Sequence, residues 1–289
     1  MKKLNLGLAI LGVVIFSNSN AQEKTPRVRI SEFHLQTGFQ YYPAETTSLE
    51  DFQKLAPNSI LLKEDLPSSY NSFGYYNGRG NFSSVQLGLT FKNHPNTLLR
   101  VGISNMGVSG LQNRFEKQDY FPYDTLTSSL TGEQTFIDSV SSQSYFMNHS
   151  SRQIRLEAAL IFRTDASARW SLFAGIGASL GVNYNATTYI SYSMNNFINN
   201  QNSNYYSSYG NSSNNGEYKT ESFTTKNYLT TTAFIPMGVD FRIGKNKVFW
   251  KRLHLYYEIK PSISMTQIPA LRTITTVNMT QALGLKVSF

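Results

Sequence analysis

The sequence has 289 residues, no cysteine and a formal net charge of +8, and only 15% of its residues are charged. The absence of cysteine excludes disulfides, thiol catalysis and cysteine-ligated metal. Soluble domains carry about 25% charged residues, so this composition is not that of an ordinary soluble domain. The Lys and Arg residues are spread without a basic stripe, so nucleic acid is not an expected partner.

The N-terminus has the pattern of a secretory signal peptide. Lys2 and Lys3 precede an apolar run over residues 4–16, and Ser19, Asn20 and Ala21 form a small-residue cleavage site. The run is shorter than the ~20 residues that a membrane-spanning helix needs. We therefore expect a signal peptide over 1–21 and a mature protein over 22–289.

Period-two alternation then predicts eight strands. In each of them one face is apolar and the other is polar or small, as side chains alternate across a strand. The predicted runs, in chain order, are 29–42, 83–92, 99–104, 154–163, 170–181, 233–242, 253–260 and 272–289. Pro236 and Pro261 lie inside two of these runs, and each removes a ladder donor, which predicts a bulge at one or both.

The connections between the runs alternate in length. Three are long (43–80, 108–150 and 186–222), three between them are short turns (93–97, 165–169 and 244–251), and the last connection on the long-loop side, 268–271, is also short. This alternation is typical of membrane barrels, with short turns on one side and long loops on the other. Segments 113–127 and 133–146 keep β-forming aromatics and are predicted to extend as a hairpin, whereas 195–215 is a low-complexity Asn, Ser and Tyr stretch.

The last strand carries the most specific resemblance. Its apolar face contains Met279, Leu283, Leu285 and Val287, and it ends on Phe289. Such a strand resembles the closing strand of Gram-negative outer-membrane barrels, in which the terminal Phe belongs to the signal read by the insertion machinery. The chain over 28–289 resembles the small barrels of the OmpX or OmpA-transmembrane type.

That resemblance implies an all-β, closed, antiparallel transmembrane β-barrel of eight strands in meander order, with ten strands as the alternative. It implies a porin-like cell-surface protein located in the outer membrane. The implied partners are outer-membrane lipid, the barrel-insertion machinery with its periplasmic chaperones, and a surface ligand or host partner.

Charged residues on the polar faces predict a lumen network. An eight-stranded interior is only wide enough for side chains to fill it, so we expect a structural plug of ion pairs, with a gated ion path as the alternative. Lys92, Arg163 and Lys286 share these faces, and the principal predicted members are Glu32, Glu157, Asp240, Glu258, Arg100, Arg155, Arg242 and Lys260.

Catalytic signals are weak. The spacing of His149 and Ser151 resembles that of the outer-membrane lipid A deacylases, whose Ser is activated by a His. The orienting acid is missing, because Glu157 lies ~20 Å along the strand from Ser151. An omptin-like protease needs paired carboxylates, for which only Asp119, Asp124, Glu133 and Asp138 are available.

We therefore predict no catalytic residue, no cofactor and no metal. The sequence favours a non-enzymatic outer-membrane barrel that displays surface loops in adhesion, surface interaction or envelope integrity. The alternatives are a narrow channel or small-solute transporter, and an outer-membrane lipid-modifying enzyme or protease.

Overall fold

The computed structural model describes residues 28–43, 45–63, 70–73, 77–165, 168–200, 216–244 and 247–289, so the predicted signal peptide lies outside the described residues. Alternating sequences form long strands in this structure. The elements are β1 (Val28–Pro43), β2 (Glu45–Thr46), α1 (Leu49–Leu55), β3 (Asn71–Ser72), β4 (Asn77–Phe91), β5 (His94–Thr127), β6 (Gln134–Arg163), β7 (Trp170–Asn200), β8 (Glu217–Thr225), β9 (Tyr228–Phe234), β10 (Met237–Arg242), α2 (Val248–Arg252), β11 (Leu253–Gln267) and β12 (Thr273–Ser288).

The long strands close into a ring. β1 pairs with β4 on one side and with β12 on the other, and β4, β5, β6 and β7 pair in sequence. β9 and β10 together connect β7 to β11, which pairs with β12. Every ladder of the ring is antiparallel, and apart from the closing β1–β12 ladder each joins consecutive long strands. The prediction of a closed eight-stranded meander barrel is confirmed, with β8, β9 and β10 acting as one interrupted strand.

The predicted bulge at the prolines is wrong. Phe234 and Met237 face Ser262 and Ile259 on β11, which is the same register on both sides of the interruption at 235–236. The N–H of Ile235 donates to the carbonyl of Pro261 at 3.0 Å, and the N–H of Gly175 donates to the carbonyl of Pro236 at 2.8 Å. The carbonyl oxygen of each proline still accepts a hydrogen bond from a neighbouring strand. The missing proline N–H therefore interrupts the ladder between β9 and β10 without changing the register.

The outer face of the ring is apolar over a limited height, which we call the apolar belt. On β6 its exposed positions run from Ile154 to Phe162, a length of nine residues, and the next outward position is the exposed Arg152. Nine to eleven residues is the length that a tilted strand needs to cross a bilayer. Trp170 stacks on Phe241 at the opposite edge, with ring centroids 4.5 Å apart.

The two ends of the barrel differ. At the turn end, β4 and β5 are separated by only residues 92–93, and the turn before β11 contains α2 with an exposed Trp250. At the loop end, β5, β6 and β7 continue far beyond the belt. None of the helices in the described ranges is long and apolar enough to cross a membrane.

Much of what the sequence predicted as long connections is strand. Segment 108–150 is a hairpin, because β5 continues to Thr127 and β6 begins at Gln134, as its aromatic residues predicted. Segment 186–222 is occupied by β7 up to Asn200 and by β8, while 201–215 lies outside the described residues. Segment 43–80 contains β2, α1 and β3, and no helix was predicted there.

The loop end of the barrel is covered by α1. Ser48 caps the helix by accepting a hydrogen bond from the N–H of Asp51 at 3.2 Å, and Phe52 and Leu55 share its inner face. Phe52 is fully buried, and burying a side chain of this kind stabilises by about 1.5 to 3 kcal/mol. These two residues pack with Leu62 on an apolar cluster that we call the cap, formed with Leu111, Phe115, Tyr145, Met147, Ile190, Tyr228, Ile268 and Ile274.

Candidate functional site

The centre of the lumen is filled by ion pairs. Arg100 on β5 donates to Glu258 on β11, and both side chains are buried. Nζ of Lys260 lies 3.4 Å from Glu258 Oε1 and 3.3 Å from Glu157 Oε2. Gln86 on β4 also donates to Glu157 at 3.1 Å. Four strands on different sides of the barrel are therefore tied together through its interior.

A second group of charges lies nearer the turn end. Nζ of Lys286 donates to Asp240 and lies 3.7 Å from Glu32 Oε1. His254 Nδ1 is 3.0 Å from Asp240 Oδ1, and His34 Nε2 is 3.1 Å from Glu32 Oε2. Each carboxylate thus has a lysine and a histidine beside it.

Six of the eight principal residues predicted for the network take part in these ion pairs: Glu32, Glu157, Asp240, Glu258, Arg100 and Lys260. Arg163 joins them by donating to Glu32. Arg155 and Arg242 form no ion pair within the described residues, and Arg242 ends β10 at the turn end of the barrel.

The sequence interpretation did not connect His34 and His254 to this network. Alternation placed both on the polar face, but only the strand register shows that each meets a carboxylate. Phe289, the predicted assembly signal, is 40% exposed at the turn end, and its N–H donates to the carbonyl of Ser31 at 2.8 Å.

His149 and Ser151 lie inside the barrel, beneath the cap, without forming a catalytic pair. His149 Nδ1 is 2.9 Å from the Thr188 hydroxyl, and its Nε2 is 3.3 Å from the Tyr228 hydroxyl. Tyr228 donates to Ser151 at 3.1 Å, and Ser151 donates to Asn183 at 3.2 Å. The histidine is bonded to two neutral hydroxyls and no carboxylate orients it, so the arrangement lacks the acid that a nucleophilic serine site requires.

The extended strands form a projecting sheet, which we call the blade: residues 111–150, 186–200 and 217–225. The part of β6 beyond the belt, 134–151, corresponds to roughly 60 Å of strand. The tip of the β5–β6 hairpin is exposed on both faces, and β7 accompanies β6 only as far as Ile137. The large exposed apolar side chains at and near the tip are Tyr120, Phe121, Tyr123, Leu126, Leu130 and Phe136.

The blade differs in charge from the rest of the chain. It contains seven acidic and three basic residues, although the whole chain has a net charge of +8. All three of its basic residues pair within the blade, Arg114 with Glu116, Lys117 with Asp119, and Lys219 with Glu217. The remaining charge of the blade is therefore negative.

Comparison with known proteins gives structural neighbours only. No protein-family model and no curated protein matches the sequence. The Neisserial surface protein A matches with 11% identity and a TM-score of 0.34, covering 89% of this chain and 97% of that one. The attachment invasion locus protein Ail of Yersinia pestis has 12% identity and a TM-score of 0.25, with 90% and 100% covered. The transport unit of the Escherichia coli autotransporter AIDA-I has 11% identity and a TM-score of 0.21, with 98% of each chain covered.

These overlaps are loose, so the assignment of this chain depends on its own geometry. A closed antiparallel ring leaves no strand edge within the bilayer, and its outer face is apolar while its inner face is polar. The chain is a closed β-barrel with the surfaces of a membrane-spanning one.

Proposed function

We propose that this protein is a non-enzymatic surface barrel whose blade contacts another macromolecule outside the cell. In outer-membrane barrels the short turns face the periplasm and the long connections face outward. The observation that carries the proposal is the apolar tip of the β5–β6 hairpin, which lies far from the belt and from any lipid of its own membrane.

Exposed apolar patches of this kind mark interaction sites on proteins, since they otherwise remain in contact with water. Aromatic residues are enriched among interface residues because they bury a large area at a low cost in conformational entropy. With its uncompensated acidic residues, such as Asp124 and Glu133, the tip suits a partner surface that is apolar and basic.

Two features of the barrel interior support this function over the alternatives of a channel and an acyl hydrolase. The ion pairs of the lumen and the cap at the loop end both occupy the cross-section that a channel would keep open. The environment of His149 and Ser151 does not favour an acyl hydrolase, because their hydrogen bonds go to neutral groups. The membrane lipid then serves only to hold the barrel in place.

The proposal is tested with Gram-negative cells that display the full-length protein. Phe121 and Tyr123 are replaced by Ser together, and attachment of the cells to an epithelial monolayer is counted. The tip variant should attach at the level of cells that lack the protein, whereas cells with the unmodified protein attach more. Tyr218→Ser is the matched control, because Tyr218 is also exposed on the blade but lies on β8, away from the tip.

Equal attachment by the tip variant and the unmodified protein, at equal surface amounts, would contradict the proposal. A loss of attachment in the Tyr218→Ser control as well would place the contact on the sheet of the blade instead of its tip.

Delivery to the membrane is a separate proposal. The exposed aromatic Phe289 at the turn end resembles the signal read by the insertion machinery, which receives such chains from periplasmic chaperones. Phe289→Asp should then lower the amount of folded barrel in the outer membrane, measured by heat-dependent migration in gels. An unchanged amount would count against this role.

A further inference from the structure

Arg155 is a buried cation that forms no direct ion pair within the described residues. It is 6% exposed, its Nε donates to Gln153, and its Nη1 donates to Gln40 at 3.4 Å. Both acceptors are neutral amide oxygens. Among the described residues Arg155 takes part in no ion pair, and its Nη2 makes no hydrogen bond. A charge taken out of water without a counter-charge is strongly unfavourable, so this position needs compensation from another source.

The lumen carboxylates supply only part of that compensation. Glu157, two residues along β6, attracts Arg155 electrostatically, but its oxygens are bonded to Lys260, Gln86 and Ser104 and not to Arg155. The other three carboxylates, Glu32, Asp240 and Glu258, pair with Arg163, Lys286 and Arg100. Arg155 is therefore the cation that remains after each lumen carboxylate has a partner.

A small cavity lies beside this guanidinium. It has a volume of about 40 Å³ and is lined by Arg155, Gln40 and Gln153, with Thr230, Asn183 and Asn278 among the other polar residues. Space for one water molecule takes about 10 to 15 Å³ on this measure, so the cavity can hold a few waters or one small ion. It is too small for a sugar or a nucleotide. Ile268 and Ile274, which belong to the cap, line the cavity on the side of the loop end.

A glycine on β7 leaves room for the Arg155 side chain. Gly181 faces Arg155 across the β6–β7 ladder, and a Cβ at Gly181 would lie 2.9 Å from Cγ of Arg155. Any larger residue at 181 would displace the arginine stem. The backbone thus leaves room for a cation at a point where no acid forms an ion pair with it.

We propose that the cavity binds a monatomic anion, chloride under ordinary conditions, as the counter-ion of Arg155. The guanidinium supplies the charge and a free N–H, and the hydroxyl and amide groups around the cavity supply further donors. This ion completes the neutralisation of the lumen. Its binding is independent of what the blade contacts, because the cavity lies beneath the cap.

The test uses the full-length protein folded in detergent micelles. The unfolding temperature is measured in sodium chloride and in sodium gluconate at the same ionic strength. We expect a higher unfolding temperature in chloride, because an ion that binds only the folded state stabilises it. Arg155→Gln should lose this chloride-dependent shift, and Arg152→Gln should keep it, because Arg152 is an exposed, outward-facing residue of the same strand.

Bromide provides a direct readout on the unmodified protein, so the test does not depend on the variant folding. Crystals grown in bromide should show an anomalous peak within hydrogen-bond distance of the Arg155 guanidinium. The proposal is overturned if the cavity has no such peak, if chloride and gluconate give the same unfolding temperature, or if Arg155→Gln retains the shift.

Discussion

Arg100 and Glu258 form an ion pair across the interior of the barrel, with their side chains only 3% and 0% exposed. They are far apart in sequence, and the closed ring brings β5 and β11 to face each other. A buried pair adds little net stability over apolar residues, but removing one partner leaves the other charge buried and uncompensated. The pair is therefore a sensitive point of the fold.

Replacing Glu258 with Gln should destabilise the barrel by about 3 to 5 kcal/mol, since Arg100 and Lys260 would lose their shared carboxylate. Urea unfolding in micelles, followed by tryptophan fluorescence, measures the change. Glu217→Gln is the matched control, because the Glu217–Lys219 pair is exposed, and surface pairs contribute about 0 to 1 kcal/mol. Similar small losses in both variants would show that the lumen pairs are not coupled to stability.

The orientation of the strands is tested by Leu156 and Ser179. Leu156 faces outward within the apolar belt and Ser179 faces the lumen. Leu156→Arg should cost about 2 to 4 kcal/mol, because it places a charge among lipid tails, whereas Ser179→Thr should be mild. Equilibrium unfolding from lipid vesicles gives both values. If the two substitutions were tolerated equally, the assignment of the faces would be wrong.

The alternation of apolar and polar residues predicted the strand segments of the apolar belt, but it did not predict how these strands continue beyond their bulges. Ser109 pairs with Ser150 and Leu111 pairs with His149, so Gly110 is an extra residue on β5. Beyond it the inward positions change from even to odd numbers. On β7 the register shift near Asn185, which has a φ of 50°, changes the inward positions from odd to even numbers. A strict period of two ends at such a point, which is why the run on β7 was predicted to end at residue 181 although the strand continues to Asn200.

The cap depends on α1, and Phe52→Ala should release it. Phe52 is fully buried in the cap, and such a truncation costs about 3 to 5 kcal/mol. We expect segment 45–63 to become accessible to protease while the ring of strands stays folded. Lys54→Ala, on the exposed side of the same helix, should leave cleavage unchanged. Cleavage that is equally slow in both variants would mean that the cap does not depend on this contact.

The helix shows a second limit of sequence patterns. Its seven residues hold only two buried apolar positions, with Leu49 partly buried beside them, and this run is too short for a helical period to be distinguished from the surrounding loop. Its stability comes from the cap, that is, from residues of β5, β6 and β7 that meet it only in the folded chain. Local propensity alone could not locate it.

The pH dependence of the cap follows from His149. It lies outside the membrane-spanning part of β6, three residues beyond the outward-facing Arg152, and burial lowers its pKa to about 4. The unfolded histidine has a pKa of about 6.5 and takes up a proton first as the pH falls. The stability that neutral His149 provides is therefore complete above pH 6.5 and decreases between about pH 6.5 and 4.

Protease sensitivity of the cap, measured across this range, should rise as the pH falls. His149→Gln should make the profile flatter, while His94→Gln, at an exposed position of the turn end, should not change it. A cap equally resistant at pH 7 and pH 4 would contradict this account.

The lumen illustrates what alternation can and cannot provide. The period of two assigns the face of Glu157, Glu258 and Lys260, and the narrow interior then requires charges to pair. Which cation meets which carboxylate depends on register across the whole ring, and for this reason Arg155 was predicted as a network member although it forms no ion pair. Sequence patterns thus predict which side chains face the lumen, but they do not predict which of those side chains pair with each other.

We propose a barrel that is closed inside and exposes its contact surface outside. Single-channel recording of the full-length protein in planar bilayers tests this most directly. We predict no stable openings from the unmodified protein, because paired side chains and the cap fill its cross-section. Large, long-lived currents from the unmodified protein would contradict the account and favour the transporter alternative.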